Sequence, residues 1–242
     1  MPIPALTAKQ MGRVDRIMVQ EFGLHVEQLM ELAGWAVASF ARSRLLATSP
    51  RRRRVLVVAG KGGNGGDGLV AARLLHGWGV EVEVILSHPP AALNDITRHQ
   101  ARIVRAVGIP LRHVTGEDEA IPPVDLVIDA LLGFGGTGPP TGDTARLMTA
   151  FNASEGPVLA VDLPSGLEAT TGEPFAPCVR ADATLTLALP KTGLLAPRAA
   201  KFVGDLWVAD IGVPATAYAR AGLTVEPIFS TESLVPISRD FP

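Results

Sequence analysis

GKGGNGGDGLVAARLL, residues 60–75, follows directly on the apolar run VLVVA at 55–59 and crowds glycines, with one aspartate, between a strand-like and a helix-like segment. Strand, glycine-rich turn, helix is an arrangement that brings backbone close to an anion. The glycines remove side chains from its path, and free N–H groups at the helix start point toward it. Gly60-x-Gly62-x-x-Gly65 satisfies the dinucleotide fingerprint. Glu81 or Glu83 falls where a ribose-binding acid would lie, or else EVEV is the wet face of a strand. A Walker A loop is excluded, because no Gly-Lys-Ser/Thr follows the glycines. Asp67 falls where a phosphate would otherwise bind and would repel it. It either caps the helix or serves chemistry or loop orientation.

Outward from this loop, strands and helices alternate. VEVEVIL reads as a strand, NDITRHQARIVRAVG as a helix capped by Asn94 or Asp95, and VDLVIDALLG as a buried strand. A helical DTARLMTAFNA follows, then strands within PVLAVDLPSG, ADATLTLAL and GDLWVADIG. This alternation predicts an α/β fold with a mostly parallel central sheet covered by helices. Toward the amino terminus, Thr7 and Gln10 have the spacing of a capping box, so a first helix starts near Ala8. A second runs from about Val26 to Leu46. The reading is one domain over residues 1–242, with two amino-terminal helices at 8–46, a core at 55–214 and a tail at 215–242.

Composition narrows the function. A formal charge of −2 gives no pull toward nucleic acid or an anionic membrane, and the RRRR run at 51–54 reads as a solvated loop. No apolar run reaches the roughly 18 residues of a membrane span. Cys178 is the only cysteine, which fits a reducing compartment. A cytoplasmic protein is expected.

Two further strand ends carry acids. Asp129 ends one buried strand and is followed by a second glycine-rich loop, Gly133 to Gly138; Asp162 ends another and is followed by Pro164, Ser165 and Gly166. In an open parallel sheet the loops after the carboxyl ends converge on the ligand crevice. Three such ends, each with an aspartate and glycines, therefore point to a shared site.

GKGGNGGDGLVAARLL, DLVIDALLG and VLAVDLPSGLEATTG together resemble the NAD(P)H-hydrate epimerase family, also called the YjeF N-terminal domain. LTAKQMGRVDR, LMELAG and ADATLTLALPKTGL extend the likeness from about Leu6 to Pro214. The resemblance implies a Rossmann-like three-layer α/β/α sandwich, a homodimer, and interconversion of the R and S forms of hydrated NADH or NADPH (NADHX and NADPHX). It implies that Gly63, Asn64, Gly65, Gly66 and Asp67 bind the dinucleotide. Gly133, Phe134, Gly135, Gly136, Thr137, Gly138 and Pro139 would form a second substrate loop, and Asp162 would touch substrate. It further implies a potassium ion held by Asn64, Asp129 and Ser165, whose carboxylate, amide and hydroxyl oxygens suit a hard cation. Departures from the family pattern are Leu32, which cannot supply the amide hydrogen bonds of the usual Asn, Gly63 in place of the first of two Asn, and Lys61 in place of a frequent Pro. Family members are often fused to a dehydratase. The 30 or so residues after DIGVP are too short for one, so the dehydratase would be a separate protein.

The expected chemistry is loss and return of water at the hydrated ring carbon. Protonating the hydroxyl lets it leave, the ring nitrogen stabilises the planar cation, and water adds from either face. Asp162 is the proposed proton carrier. Lys191, in LPKTGL, is either its partner or a surface lysine after a strand. The competing functions are a non-catalytic dinucleotide-binding or interaction module of the same fold, and an NAD-dependent oxidoreductase.

Overall fold

The computed structural model describes residues 3–46, 53–114, 121–136 and 138–238. Arg51 and Arg52 of the arginine run, and Thr137 of the second glycine loop, lie outside them. Arg53 pairs with Asp125 at 2.7 Å and Arg54 opens a strand.

Helix α1 (Ala8–Gln20) begins at the expected capping box: Gln10 N–H donates to Thr7 Oγ1, and the Gln10 side chain accepts from Thr7 N–H. Its buried stripe is Met11, Val14, Ile17 and Met18. Helix α2 (Val26–Phe40) ends six residues short of the expected Leu46, and one wider π-helical turn over Ala41–Leu45 completes it. That turn seats Leu46 in the core and lays Arg42 and Arg44 over the rings of Trp78 and Trp207, 3.9 and 4.7 Å from their centroids.

From there the chain alternates through β1 (Arg54–Ala59), α3 (Gly63–Gly77), β2 (Glu81–Leu86), α4 (Asp95–Ala106), β3 (Leu111–His113), β4 (Leu126–Ala130), α5 (Gly142–Ala153), β5 (Val158–Val161), β6 (Ala183–Leu187), the short α6 (Ala200–Val203), β7 (Asp205–Ala209), α7 (Ala215–Arg220) and β8 (Leu234–Pro236). Asn94 is the cap of α4, accepting from Thr97 N–H at 2.7 Å. The eight strands form one sheet in the order β3-β2-β1-β4-β5-β6-β7-β8, parallel throughout except for β8. The short strands β3 and β8 have too few residues to show a pattern in sequence. β8 ties the expected tail into the sheet beside β7.

Successive side chains of each strand face opposite layers. Val55, Val57 and Ala59 of β1 join a core with α1 to α4 and α7, whereas Leu56 and Val58 join one with α5. The result is the expected three-layer sandwich. Because β2 and β3 lie to one side of β1 and β4 onward to the other, the strand order reverses between β1 and β4. In sheets of this kind the ligand crevice opens outside the carboxyl ends at that reversal.

Candidate functional site

The first glycine loop sits at this reversal and is pinned from three sides. Gly60 N–H donates to Ala130 O of β4 at 2.9 Å, Asn94 N–H to Lys61 O at 3.0 Å, and Thr97 Oγ1 to Gly62 O at 2.8 Å. Helix α3 is capped at Gly62 and already helical at Gly63. Asp67 therefore stands on its second turn and does not cap it; the glycines that read as loop are its first turn. Glu81 and Glu83 are not ribose ligands either. They lie in the amino-terminal half of β2, Glu81 exposed and Glu83 paired with Arg112 at 3.1 Å. The carboxyl end of that strand presents Ser87 and His88, hydrogen-bonded to each other at 2.9 Å.

A cleft of about 630 Å³ opens over these strand ends. Lys61, Gly63, Asn64 and Asp67 of the first loop and helix line it, with Gly133, Phe134, Gly135 and Gly136 of the second loop, and Asp162 and Lys191. The other expected substrate contacts among the described residues are not on its wall. Gly65 and Gly66 are buried inside the α3 packing, and Gly138 and Pro139 are exposed beyond the second loop. Leu32 is 44% exposed on α2 and also lies off the wall.

Asp162 follows the last residue of β5 at φ +67°, a conformation most side chains avoid. Leu163 N–H donates back to Val161 O at 2.9 Å, closing a tight three-residue turn. Ala188 repeats this after neighbouring β6, at φ +64° with Leu189 N–H on Leu187 O. Two adjacent strands thus turn away at the same level, and the gap between them receives the Asp162 carboxylate. Its Oδ1 accepts from Thr186 Oγ1 and Leu187 N–H, each at 3.2 Å, and from Lys191 Nζ. Lys191 is only 1% exposed, so the surface reading is excluded. Its ammonium also donates to Leu187 O at 3.1 Å and lies 5.5 Å from the centroid of the Phe134 ring. The backbone at Lys191 is held from the far end of the sequence: Leu6 N–H donates to Pro190 O and Thr192 N–H to Leu6 O. Among the described residues, every hydrogen bond to the Asp162 carboxylate falls on Oδ1, leaving Oδ2 free to accept.

Beneath the cleft, Asp129 is fully buried and bonded to Ser165. Ser165 Oγ donates to Oδ1 at 2.7 Å and Ser165 N–H to Oδ2 at 2.8 Å, while Leu131 N–H adds a bond to Oδ1. Burial pushes the Asp129 carboxyl up to about 6 against these bonds. Asn64 packs toward Gly133, and among the described residues its buried Nδ2 has no hydrogen-bond partner. Oxygen and nitrogen of an amide are assigned from their hydrogen bonds, and nothing here opposes an oxygen in that buried position. A buried carboxylate, a hydroxyl and an unsatisfied amide form a hard donor set that fits a cation such as potassium.

Sequence reasoning missed Asp15 of α1, which also lines the cleft. The signal was present: Asp15 shares a helix face with Met11 and Met18, an acid within an apolar stripe. Burial pushes its carboxyl up to about 6 and Asp162 adds to the rise, although Lys191 pulls it down. The folded chain therefore holds this proton more tightly than the unfolded chain. The stability it contributes is complete below about pH 4 and is lost as pH rises through about 6. Asp15→Asn is expected to raise Tm at pH 7, by at most about 3 kcal/mol of stability, and to flatten the profile between these limits. A Tm-against-pH profile identical to wild type would refute this.

Residues 26–193 match the family described as YjeF-related protein N-terminus. A Dehalogenimonas lykanthroporepellens protein named NAD(P)H-hydrate epimerase is 40% identical over 225 residues, 91% of this chain and 87% of its own length. A protein of the same name from Limosilactobacillus fermentum is 37% identical over 85% of this chain and 96% of its own. The bifunctional NAD(P)H-hydrate repair enzyme Nnr of Moorella thermoacetica is 41% identical over 86% of this chain, a match that takes in 40% of that protein. In fold, the chain is similar to the crystal structure of yeast ynu0 (YNL200c), with a TM-score of 0.81 over 97% of this chain and all of that one at 22% identity.

Proposed function

The chain belongs to the family of YjeF-related protein N-terminus domains, and on that premise we propose that it is an epimerase interconverting the R and S forms of hydrated NADH and NADPH. The observation that carries the reading is the buried Asp162–Lys191 pair, open through one carboxylate oxygen to a cleft built on a dinucleotide-type glycine loop. Those residues supply what the chemistry asks for. The hydrated ring carbon bears a hydroxyl and the ring nitrogen. A group that gives a proton to that hydroxyl releases it as water, and the nitrogen lone pair holds the planar cation until water returns. In this reading Asp162 carries a proton of the exchange on Oδ2, and Lys191 fixes the carboxylate and balances its charge. Phe134 offers an apolar face beside the ammonium, and the first glycine loop offers bare backbone to the phosphates.

Asn64, Asp129 and Ser165 would hold a potassium ion, which would supply a fixed positive charge to offset nearby acids and phosphates. The same reading takes the protein to be cytoplasmic and homodimeric. Leu32 and Trp35, exposed together on one face of α2, support the dimer. The match to part of a bifunctional repair enzyme supports a dehydratase as its functional partner. Among the described residues, no helix is long and apolar enough to cross a membrane.

The deciding experiment follows the epimer ratio of chirally resolved NADHX with the purified protein in potassium buffer. Accelerated approach to the equilibrium mixture is the expected result. A rate equal to the buffer blank would overturn the reading and favour a non-catalytic binding module.

A further inference from the structure

The cleft is lined by three carboxylates and two lysines, the buried Lys191 and the exposed Lys61, and the carboxylates are held in two different ways. Asp162 comes from the strand ends and carries three hydrogen bonds on Oδ1, one from Lys191. Asp67 comes from the second turn of α3 and Asp15 from α1, and neither makes a hydrogen bond or ion pair to another described residue. Their positions are fixed by the frame: α1 is anchored through Leu6 to the backbone at Lys191, and α3 through Gly62 to Thr97. The wall between them is apolar, with Met11, Met30 and Ala33. With Lys191 already paired with Asp162 and Lys61 exposed to solvent, three like charges in such a place cannot all remain ionised.

We propose that Asp67 is a second catalytic residue, the proton donor to the departing hydroxyl, that Asp15 is the positioning charge which keeps the proton on it, and that Asp162 takes the proton of the incoming water. The assignment rests on the epimerase reading. The proton on Asp67 passes to the substrate hydroxyl, and the C–O bond breaks with its electron pair leaving on water. The ring nitrogen lone pair closes a C=N bond. Water then forms the new C–O bond, the C=N pair returns to nitrogen, and the extra proton goes to Asp162. Nothing is oxidised or reduced. Turnover of one epimer leaves Asp67 ionised and Asp162 protonated, which is the form that turns over the other.

The electrostatics agree with this division. Burial raises the Asp67 carboxyl well above the ordinary carboxylate range, the charges of Asp162 and Asp15 raise it further, and Lys191 opposes them. A carboxyl that holds its proton in this way, beside one bound to an ammonium, is suited to act as a donor.

The test measures initial rates against pH for the full chain with resolved NADHX epimers, in wild type, Asp67→Asn and Asp15→Asn. Asp67→Asn is expected to lose about 10²-fold or more in both directions. Its Tm at neutral pH should be retained, because Asn matches the protonated acid in shape and charge. In Asp15→Asn the fall in rate at high pH should begin at lower pH, since one charge that holds the proton on Asp67 is gone. An active wild type with a fully active Asp67→Asn, or with an unmoved alkaline limb in Asp15→Asn, overturns this inference alone. An inactive wild type overturns the epimerase reading and this inference with it.

Discussion

Asp162→Asn should slow epimerisation by about 10²- to 10⁴-fold, the usual contribution of a positioned acid–base group. Asparagine tolerates positive φ at least as well as aspartate, so the turn at φ +67° survives and substrate can still enter. The effect should therefore fall on kcat more than on KM. Stability should fall as well. Lys191 is buried with its ammonium on Asp162, and breaking a buried pair from one side costs about 3–5 kcal/mol. Adding Lys191→Met removes the stranded charge, so the double variant should recover much of the lost Tm and none of the lost rate. Epimerisation and thermal melts of the single and double variants separate the two effects. Full activity in Asp162→Asn would end its assignment as a proton carrier.

The second large effect lies in backbone packing. A Cβ on Gly60 would overlap the carbonyl oxygen of Leu131, and one on Gly65 would overlap the carbonyl oxygen of Gly60. In both cases the obstacle is main chain, which has no rotamer with which to yield. Gly60 also donates its N–H to Ala130 O, so any retreat of the loop breaks the tie between β1 and the β4 end. Gly60→Ala or Gly65→Ala should cost about 3 kcal/mol or more, at or beyond the upper end of overpacking, and abolish activity with it. Gly63→Ala is the control: space at its Cβ is open and it lies at the first position of α3, so its melt should stay close to wild type. Equal denaturant midpoints for Gly60→Ala and wild type would contradict the close packing.

The sheet was legible because its strands are continuous apolar runs broken by glycine turns, and the acids at 129 and 162 were legible as the residues that end two of those runs. What stayed hidden depends on contacts distant in sequence. Asp67 reads equally well as a cap until the helix is seen to begin four residues earlier; glycine in a first turn looks like loop, and only the approach of other backbone explains it. Lys191 reads as either the partner of Asp162 or a surface lysine, because its counter-ion follows another strand. Asp15 is an acid within the apolar stripe of α1, and its role shows only when the cleft is found against it. Strand β8 has three residues, and only its pairing with β7 identifies it.

The bridge between Leu6 and Lys191 has a consequence for synthesis. Strands β1 to β3 and helices α3 and α4 can condense as soon as they emerge, since each pairs with a neighbour close in sequence. The segment at Leu6 must wait for Pro190 and Thr192 before its hydrogen bonds can form. Domains rich in such long-range closures fold slowly, and their early species expose the surfaces that are later covered. The first residues made therefore take their final place among the last, and the ammonium beside Asp162 becomes fixed only when they do. A nascent or cleaved chain ending before position 190 could carry a well-formed glycine loop and still have no reaction centre.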